Sequence, residues 1–175
     1  DNALDMYLDL YQRHRNLVAM EVHNGTRPLD EHPLDKNLWD RLLSTMMPER
    51  PVWGTATDDM HEMHHFAGDW VEFPRDNNEP EQLRQAFLDG AFYFSSVSVY
   101  NGEEPSEDLT PEIVEVNVQA DSGIIRVKAT ENGQPMGEDA YVWVSMEDVV
   151  HTGPELDLST LETDATYVRA EIYGR

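Results

Sequence analysis

The sequence predicts an α/β segment followed by an all-β module, and three observations carry that reading. Over residues 1–100, segments with helical spacing alternate with short apolar runs. From residue 91 onward the apolar period becomes two. Asp121-Ser122-Gly123 and Glu131-Asn132-Gly133 then separate successive runs as turns. Helices alternating with strands indicate parallel βα units, and strands joined by tight turns indicate antiparallel pairing. The chain is accordingly divided into residues 1–100 and 101–175.

Each element follows from a local pattern. Leu4, Tyr7, Leu8 and Tyr11 share one helical face within residues 3–14. Leu17 to Val22 is a short, mostly apolar run suited to a buried strand, closed by the turn signal His23-Asn24-Gly25. Pro28 and Pro33 mark a polar loop. Leu38, Trp39, Leu42, Leu43, Met46 and Met47 form the stripe of a second helix over residues 35–47, stopped by Pro48 and Pro51. Val52 to Ala56 reads as the next strand and Trp70 to Phe73 as another. Pro80 suits the first turn of a helix that carries Leu83, Ala86 and Phe87 and ends at Gly90. Residues 91–100, 113–118, 124–129, 140–145 and 167–173 alternate as strands do, with an acidic, turn-rich stretch over 101–108. The expected core includes Trp39, Leu42, Leu43, Val52 and Phe87.

Composition removes several classes of function. Asp and Glu number 35 against 12 Lys and Arg, a formal net charge of -23. Lys36 and Lys128 are the only lysines, and no basic cluster exists to hold a phosphate backbone, so generic nucleic-acid binding is not expected. Abundant carboxylate with scarce lysine suits a surface kept hydrated in concentrated salt; an ordinary acidic protein is the other reading. The absence of cysteine excludes disulfides, Cys-based zinc sites, iron–sulfur clusters and thiol nucleophiles. No apolar run approaches the roughly 20 residues of a membrane span. The charged opening from Asp1 to Arg15 does not read as a signal peptide. No membrane partner is expected.

Candidate chemistry is concentrated in Asp58-Asp59-Met60-His61-Glu62-Met63-His64-His65, just after a predicted buried strand. In parallel βα architectures the loops at the carboxyl ends of strands carry the sites. Asp59 and His61 are two residues apart, so an extended segment would project both to one side. A carboxylate and an imidazole together suit Zn, Mn or Fe. A histidine-rich surface loop is the competing reading of the same residues. Ser95 and Ser96 lie in a strand without a G-x-S-x-G elbow, and neither phosphate-loop nor dinucleotide motifs occur.

The run from Val52 to His61 resembles the last metal-binding motif of the polymerase and histidinol phosphatase (PHP) family, in which a strand ends in D-x-H, often D-D-x-H. Met20-Glu21-Val22-His23-Asn24-Gly25 resembles the E-V-x-N-G strand that precedes it there. Gly68-Asp69-Trp70-Val71 and the helix ending at Gly90 also fall where such proteins have them, and Tyr167 to Ile172 is like the last strand of a β module attached to some members. The family fold is a distorted β/α barrel around metal ions. Its remaining ligands come from an early H-x-H, further His and Glu positions and an H-P motif, all upstream of the E-V-x-N-G strand. No H-x-H occurs here, and His32-Pro33 follows that strand instead of preceding it. The resemblance therefore implies the C-terminal portion of such a barrel plus a small antiparallel β module, associating with the missing barrel half or with further copies of itself.

By the same resemblance Asp59 and His61 would be metal ligands, and a bound divalent ion would activate water for attack on a phosphoester. Asp58 could orient a ligand histidine from behind or act as a turn residue. His64 and His65 could add a ligand or a proton donor, or be solvent-exposed loop residues. His23 could face the same site or serve the turn. Arg27 could contact phosphate or form a surface ion pair. His14, His32 and His151 have no such setting. The implied function is a metal-dependent hydrolase of PHP type acting on a small phosphate ester or other small molecule, with part of its metal site absent from this chain. The alternative is a non-catalytic fragment or interaction module with a vestigial metal motif.

Overall fold

The computed structural model describes residues 2–26, 32–75, 78–97 and 110–174. They fall into two units, Asp1–Glu107 and Asp108–Arg175. The first contains α1 (Asn2–Arg13), β1 (Ala19–Asn24), α2 (His32–Met46), β2 (Trp53–Thr57), β3 (Asp69–Glu72), α3 (Pro80–Asp89) and β4 (Tyr93–Ser96). Strands β1 and β2 pair in parallel, with Ala19 opposite Trp53 and Asn24 opposite Thr57. Parallel neighbours need a long crossover. Helix α2 supplies it and packs on β1, burying Trp39, Leu42, Leu43 and Met46.

Polar contacts of the aromatic residues hold this layer. Trp39 Nε1 donates to Val52 O at 2.8 Å. The Trp39 ring can lie on the strand because residue 54 is glycine: a Cβ there would sit 2.8 Å from the indole and 2.9 Å from Phe94. Tyr11 is buried at the end of α1 and donates to Ala19 O at 2.7 Å. The Arg50 guanidinium donates to the carbonyls of Tyr11, His14 and Leu17 and lies over the Tyr11 ring. Helix α3 ends at Gly90, whose left-handed φ of 70° and close approach to the Trp53 ring both require glycine. Phe87, expected in the core, is half-buried and stacks on Phe92 at 5.1 Å.

The expected portion of a β/α barrel is not what forms. Among the described residues the protein is mostly small sheets with three helices, strand outweighing helix at 36% against 28%, and no barrel closes. The physical reason lies after β2. One parallel unit, β1–α2–β2, is present, but β3 pairs antiparallel with β4, Asp69 opposite Ser96 and Glu72 opposite Tyr93. Between β2 and β3 the chain makes a loop with one 3₁₀ turn, Met63–His65, where a second parallel crossover would need a longer helix. Among the described residues parallel pairing stops at two strands, and two strands cannot curl into a barrel.

The second unit is antiparallel, built as two sheets. One has the order β10-β6-β5 with β7 also on β6; the other has the order β11-β8-β9. The strands are β5 (Glu112–Gln119), β6 (Ile124–Glu131), β7 (Gln134–Pro135), β8 (Tyr141–Ser145), β9 (Asp148–Thr152), β10 (Glu155–Asp157) and β11 (Arg169–Ile172). Val127, Ala129, Tyr141, Trp143 and Leu156 form its core. Trp143 Nε1 donates to Gly153 O at 2.7 Å, and the Tyr141 hydroxyl accepts from Ala129 N at 2.9 Å, so the buried aromatic polar atoms are satisfied. Among the described residues no helix is long and apolar enough to cross a membrane. The acidic stretch over 101–108, the end of the 91–100 run, Arg27 and Pro28 lie outside the described residues.

Candidate functional site

The parallel register brings the carboxyl ends of β1 and β2 side by side, and Gly25 N donates to Thr57 O at 2.9 Å just beyond them. Gly25 is required there by contact: a Cβ would come within 2.6 Å of Asp69 Oδ2 and 3.2 Å of Asp58 O. The Asn24 carboxamide oxygen accepts from Thr26 N at 3.0 Å and from Thr26 Oγ1 at 2.9 Å, an Asx-type turn that closes the strand. Thr26 Oγ1 also lies 2.9 Å from Asp59 Oδ2. The β1 turn thus reaches the first residues after β2.

Asp59 and His61 do come together. Asp59 Oδ1 and His61 Nε2 are 3.4 Å apart, with side chains 44% and 72% exposed. They do not meet by projecting from an extended segment, as the spacing suggested. Asp59 is left-handed, φ 47°, a conformation Asp tolerates better than most residues. The turn folds the imidazole back toward the carboxylate. Hydrogen bonds from Thr26 and Asn24, with the nearby His61, hold the Asp59 carboxyl below the usual carboxylate range. The group therefore stays anionic, the form a cation needs, to lower pH than an isolated aspartate does.

Asp58 takes a different part from that of a carboxylate behind a ligand. Its oxygens accept from three successive amides: Ala67 N at 2.9 Å, Gly68 N at 2.8 Å and Asp69 N at 2.7 Å. The loop between Asp58 and Asp69 is thereby closed at its base and presents Met60, Met63 and Phe66 to solvent. His65 shapes the same loop. Its Nδ1 accepts from His61 N at 3.2 Å and Glu62 N at 3.4 Å, and it forms a reciprocal capping box with Glu62 on the 3₁₀ turn. The His61 and His65 rings stand edge to face with centroids 6.4 Å apart. The His64 side chain lies outside the described residues, as does Arg27.

His23 points into the fold toward the β3–β4 pair. Its Nδ1 is 2.8 Å from Asp69 Oδ1, whose side chain is 2% exposed, and 3.1 Å from Ser96 Oγ. Sequence reasoning singled out neither Asp69 nor Ser96 as a partner of His23. Their approach depends on the antiparallel return of β4, which no local motif announces. Asn24 and Thr26 were missed for a different reason: their approach to Asp59 depends on the parallel register of β1 and β2.

The donor chemistry of Asp59 and His61 fits a divalent metal. Bonds of about 2.1 Å in a tetrahedral arrangement place neighbouring donors about 3.4 Å apart. Two donors are a partial set, and among the described residues no three His, Cys, Asp or Glu side chains form a group that could hold a metal. Comparison of the chain with protein-family models, with curated proteins and with solved structures finds no match.

Proposed function

We propose that Asp59 and His61 are two ligands of a divalent-metal centre, Zn, Mn or Fe, serving hydrolysis of a phosphoester in the manner of PHP proteins. The remaining ligands come from residues other than these two. The reading concerns the site and not a barrel. The observation that carries it is the 3.4 Å approach of an anionic carboxylate and an imidazole, both open to solvent, at the carboxyl end of a parallel strand pair. When bound, the cation supplies positive charge that activates water and offsets the charge of the phosphate. The residues of this chain do the positioning: Thr26 holds Asp59, Asp58 closes the loop, and His65 fixes the backbone at His61. A cation also reconciles a net charge of -23 with an anionic substrate, because it inverts the local field.

The test is a calorimetric titration of the whole chain with Zn²⁺ and Mn²⁺ beside Asp59→Asn, His61→Ala and His14→Ala. Asparagine is chosen at position 59 because it also tolerates a positive φ. Asp59→Asn and His61→Ala should each remove or weaken the same binding step, while His14→Ala should leave the isotherm unchanged. Isotherms unaffected by either site substitution would remove the basis of the proposal. Turnover of a chromogenic phosphate ester by the chain alone should be low. High turnover would show that the described ligands are not a partial set.

A second reading, an interaction module with a vestigial metal motif, is favoured by one feature of the β unit. Val114, Val116 and Val118 of the edge strand β5 are all more than half exposed. Their exposure fits a strand that docks on something else. Metal binding at Asp59 and His61 distinguishes the two readings.

A further inference from the structure

Strand β5 is an edge: among the described residues it pairs with β6 alone. The register fixes which side of the sheet each residue faces, because residues directly opposite share a face. Ile113 lies opposite buried Ala129 and packs on the core. After an irregularity at Val114, Val116 lies opposite buried Val127 and Val118 opposite Ile125. Val116 and Val118 are thus on the core side of the sheet, yet they are 59% and 63% exposed. The other face is balanced in charge: Glu115 pairs with Lys128, and Arg126 with Glu155. Edges that stay single are commonly guarded by lysine, proline or an inward-pointing charge. From Glu112 to Gln119 there is no lysine or proline, and the inward row is Ile113, Val116 and Val118.

The sequence of this edge matches its own reverse. Read antiparallel about Asn117, the segment Glu115-Val116-Asn117-Val118-Gln119 sets Val116 opposite Val118, Asn117 opposite Asn117 and Glu115 opposite Gln119. We propose that the β5 edge binds a second copy of this chain, the two strands pairing antiparallel about a two-fold axis at Asn117 to make one continuous sheet. The proposal rests on the docking reading of the β unit, whose partner it names, and uses no residue of the Asp59–His61 centre. Charge favours the same partner and register. Copies that each carry -23 repel, so they can meet only where carboxylates are few or answered. From Ile113 to Ala120 the sole carboxylate is Glu115, answered by Lys128. In this register the two Glu115 residues stand four positions apart along the strands, about 14 Å, beyond the screening length of about 8 Å. Each instead meets a Gln119 carboxamide, whose oxygen accepts from Ser122 Oγ at 3.2 Å and whose N–H groups can donate to the carboxylate. A two-fold axis at Glu115 would set the carboxylates face to face. Five to eight paired residues span about 17 to 27 Å, at the small end of specific interfaces, so the expected Kd is micromolar.

The experiment is sedimentation of the whole chain from about 1 μM to 1 mM. It should show a reversible monomer–dimer equilibrium that stops at two, because a two-fold contact closes, and that tightens as NaCl screens the repulsion between copies. Val116→Lys changes an exposed position, so the melting transition should be retained while Kd rises at least about tenfold. Val149→Lys makes the same charge change at a valine of β9 that is 63% exposed and should leave Kd within about twofold. Position 117 tests the register. Asn117→Asp and Asn117→Lys each set like charges across the axis and should weaken association at least about threefold, while an equimolar mixture of the two should associate more tightly than either alone. Amide exchange separates this proposal from the docking reading beneath it. The amides of residues 115–119 that face away from β6 should exchange fast in dilute protein and slow as concentration rises. A chain that stays monomeric with those amides fast overturns the second copy as partner and leaves docking on a different protein. Amides already protected in the monomer overturn both, because the chain then covers its own edge. Association that ignores Val116→Lys, continues beyond the dimer or fails to recover in the mixture overturns the proposed pairing.

Discussion

Removing the Asp58 carboxylate is the sharpest perturbation of the candidate site that leaves its donors in place. Asp58 accepts three backbone hydrogen bonds at 2.7 to 2.9 Å from Ala67, Gly68 and Asp69. Bonds to a charged acceptor each contribute about 1.5–3 kcal/mol when buried. This carboxylate is only partly buried and serves all three at once, so the sum is not additive. Asp58→Ala should therefore cost about 3 kcal/mol. Asp58→Asn keeps one acceptor oxygen, which can still serve Gly68 and Asp69, but turns an amide N–H toward Ala67. Its cost should be about half. With a urea slope of about 2 kcal/mol/M, Asp58→Ala should lower the unfolding midpoint of the first unit by about 1.5 M. The local assay is amide hydrogen exchange. Ala67, Gly68 and Asp69 should be protected in the parent, partly exposed in Asp58→Asn and unprotected in Asp58→Ala. Unprotected amides at those positions in the parent would refute the clamp, as would a stability change below about 0.5 kcal/mol on its removal.

Gly25→Ala puts a Cβ within 2.6 Å of Asp69 Oδ2 and 3.2 Å of the Asp58 carbonyl; the expected loss is about 1–3 kcal/mol, read by urea denaturation. Burial raises the Tyr11 hydroxyl to a pKa of about 12. The neutral form is thus favoured by folding, and the stability it contributes is complete below pH 10 and lost as pH rises from 10 toward 12, by up to about 2 kcal/mol. Tyr11→Phe should remove that alkaline dependence and, by deleting the bond to Ala19 O, lower stability at neutral pH by about 1 kcal/mol; parallel melting curves from pH 7 to 12 decide it. Thermal melting should rise with added NaCl, because a net charge of -23 repels itself and screening acts over about 8 Å at physiological ionic strength. A flat or falling series would mean that the carboxylates are paired or bound to metal.

Elements were legible wherever a local period decides them. Trp39, Leu42, Leu43 and Met46 of the predicted stripe are buried in α2, which packs on β1, and Gly90 ends α3 because its backbone must turn left-handed against Trp53. Strands β7, β9 and β10 were not legible. They are short, and β9 is exposed along its whole length, so its Val149 and Val150 produce no alternation between core and solvent. The barrel expectation failed on a nonlocal choice. Trp70 to Glu72 has the composition of a strand in either pairing, and only the return of Tyr93 to Ser95 alongside it makes the pair antiparallel.

The candidate site divides along the same line. D-x-H spacing located Asp59 and His61, but the side chains meet through a left-handed turn that spacing alone does not encode. Asp58 shows how one residue type serves two roles according to where the chain carries the next amides. In an extended continuation its carboxylate would be available to a histidine; with Ala67, Gly68 and Asp69 folded back on it, its oxygens accept from three backbone amides instead. The fold-back also seats Asp69 beside His23, so closure of the loop and the buried imidazole–carboxylate contact are consequences of one chain reversal. Loosening the Asp58 clamp should then disturb Asp69 as well as the exposed pair, coupling two clusters that share no side chain.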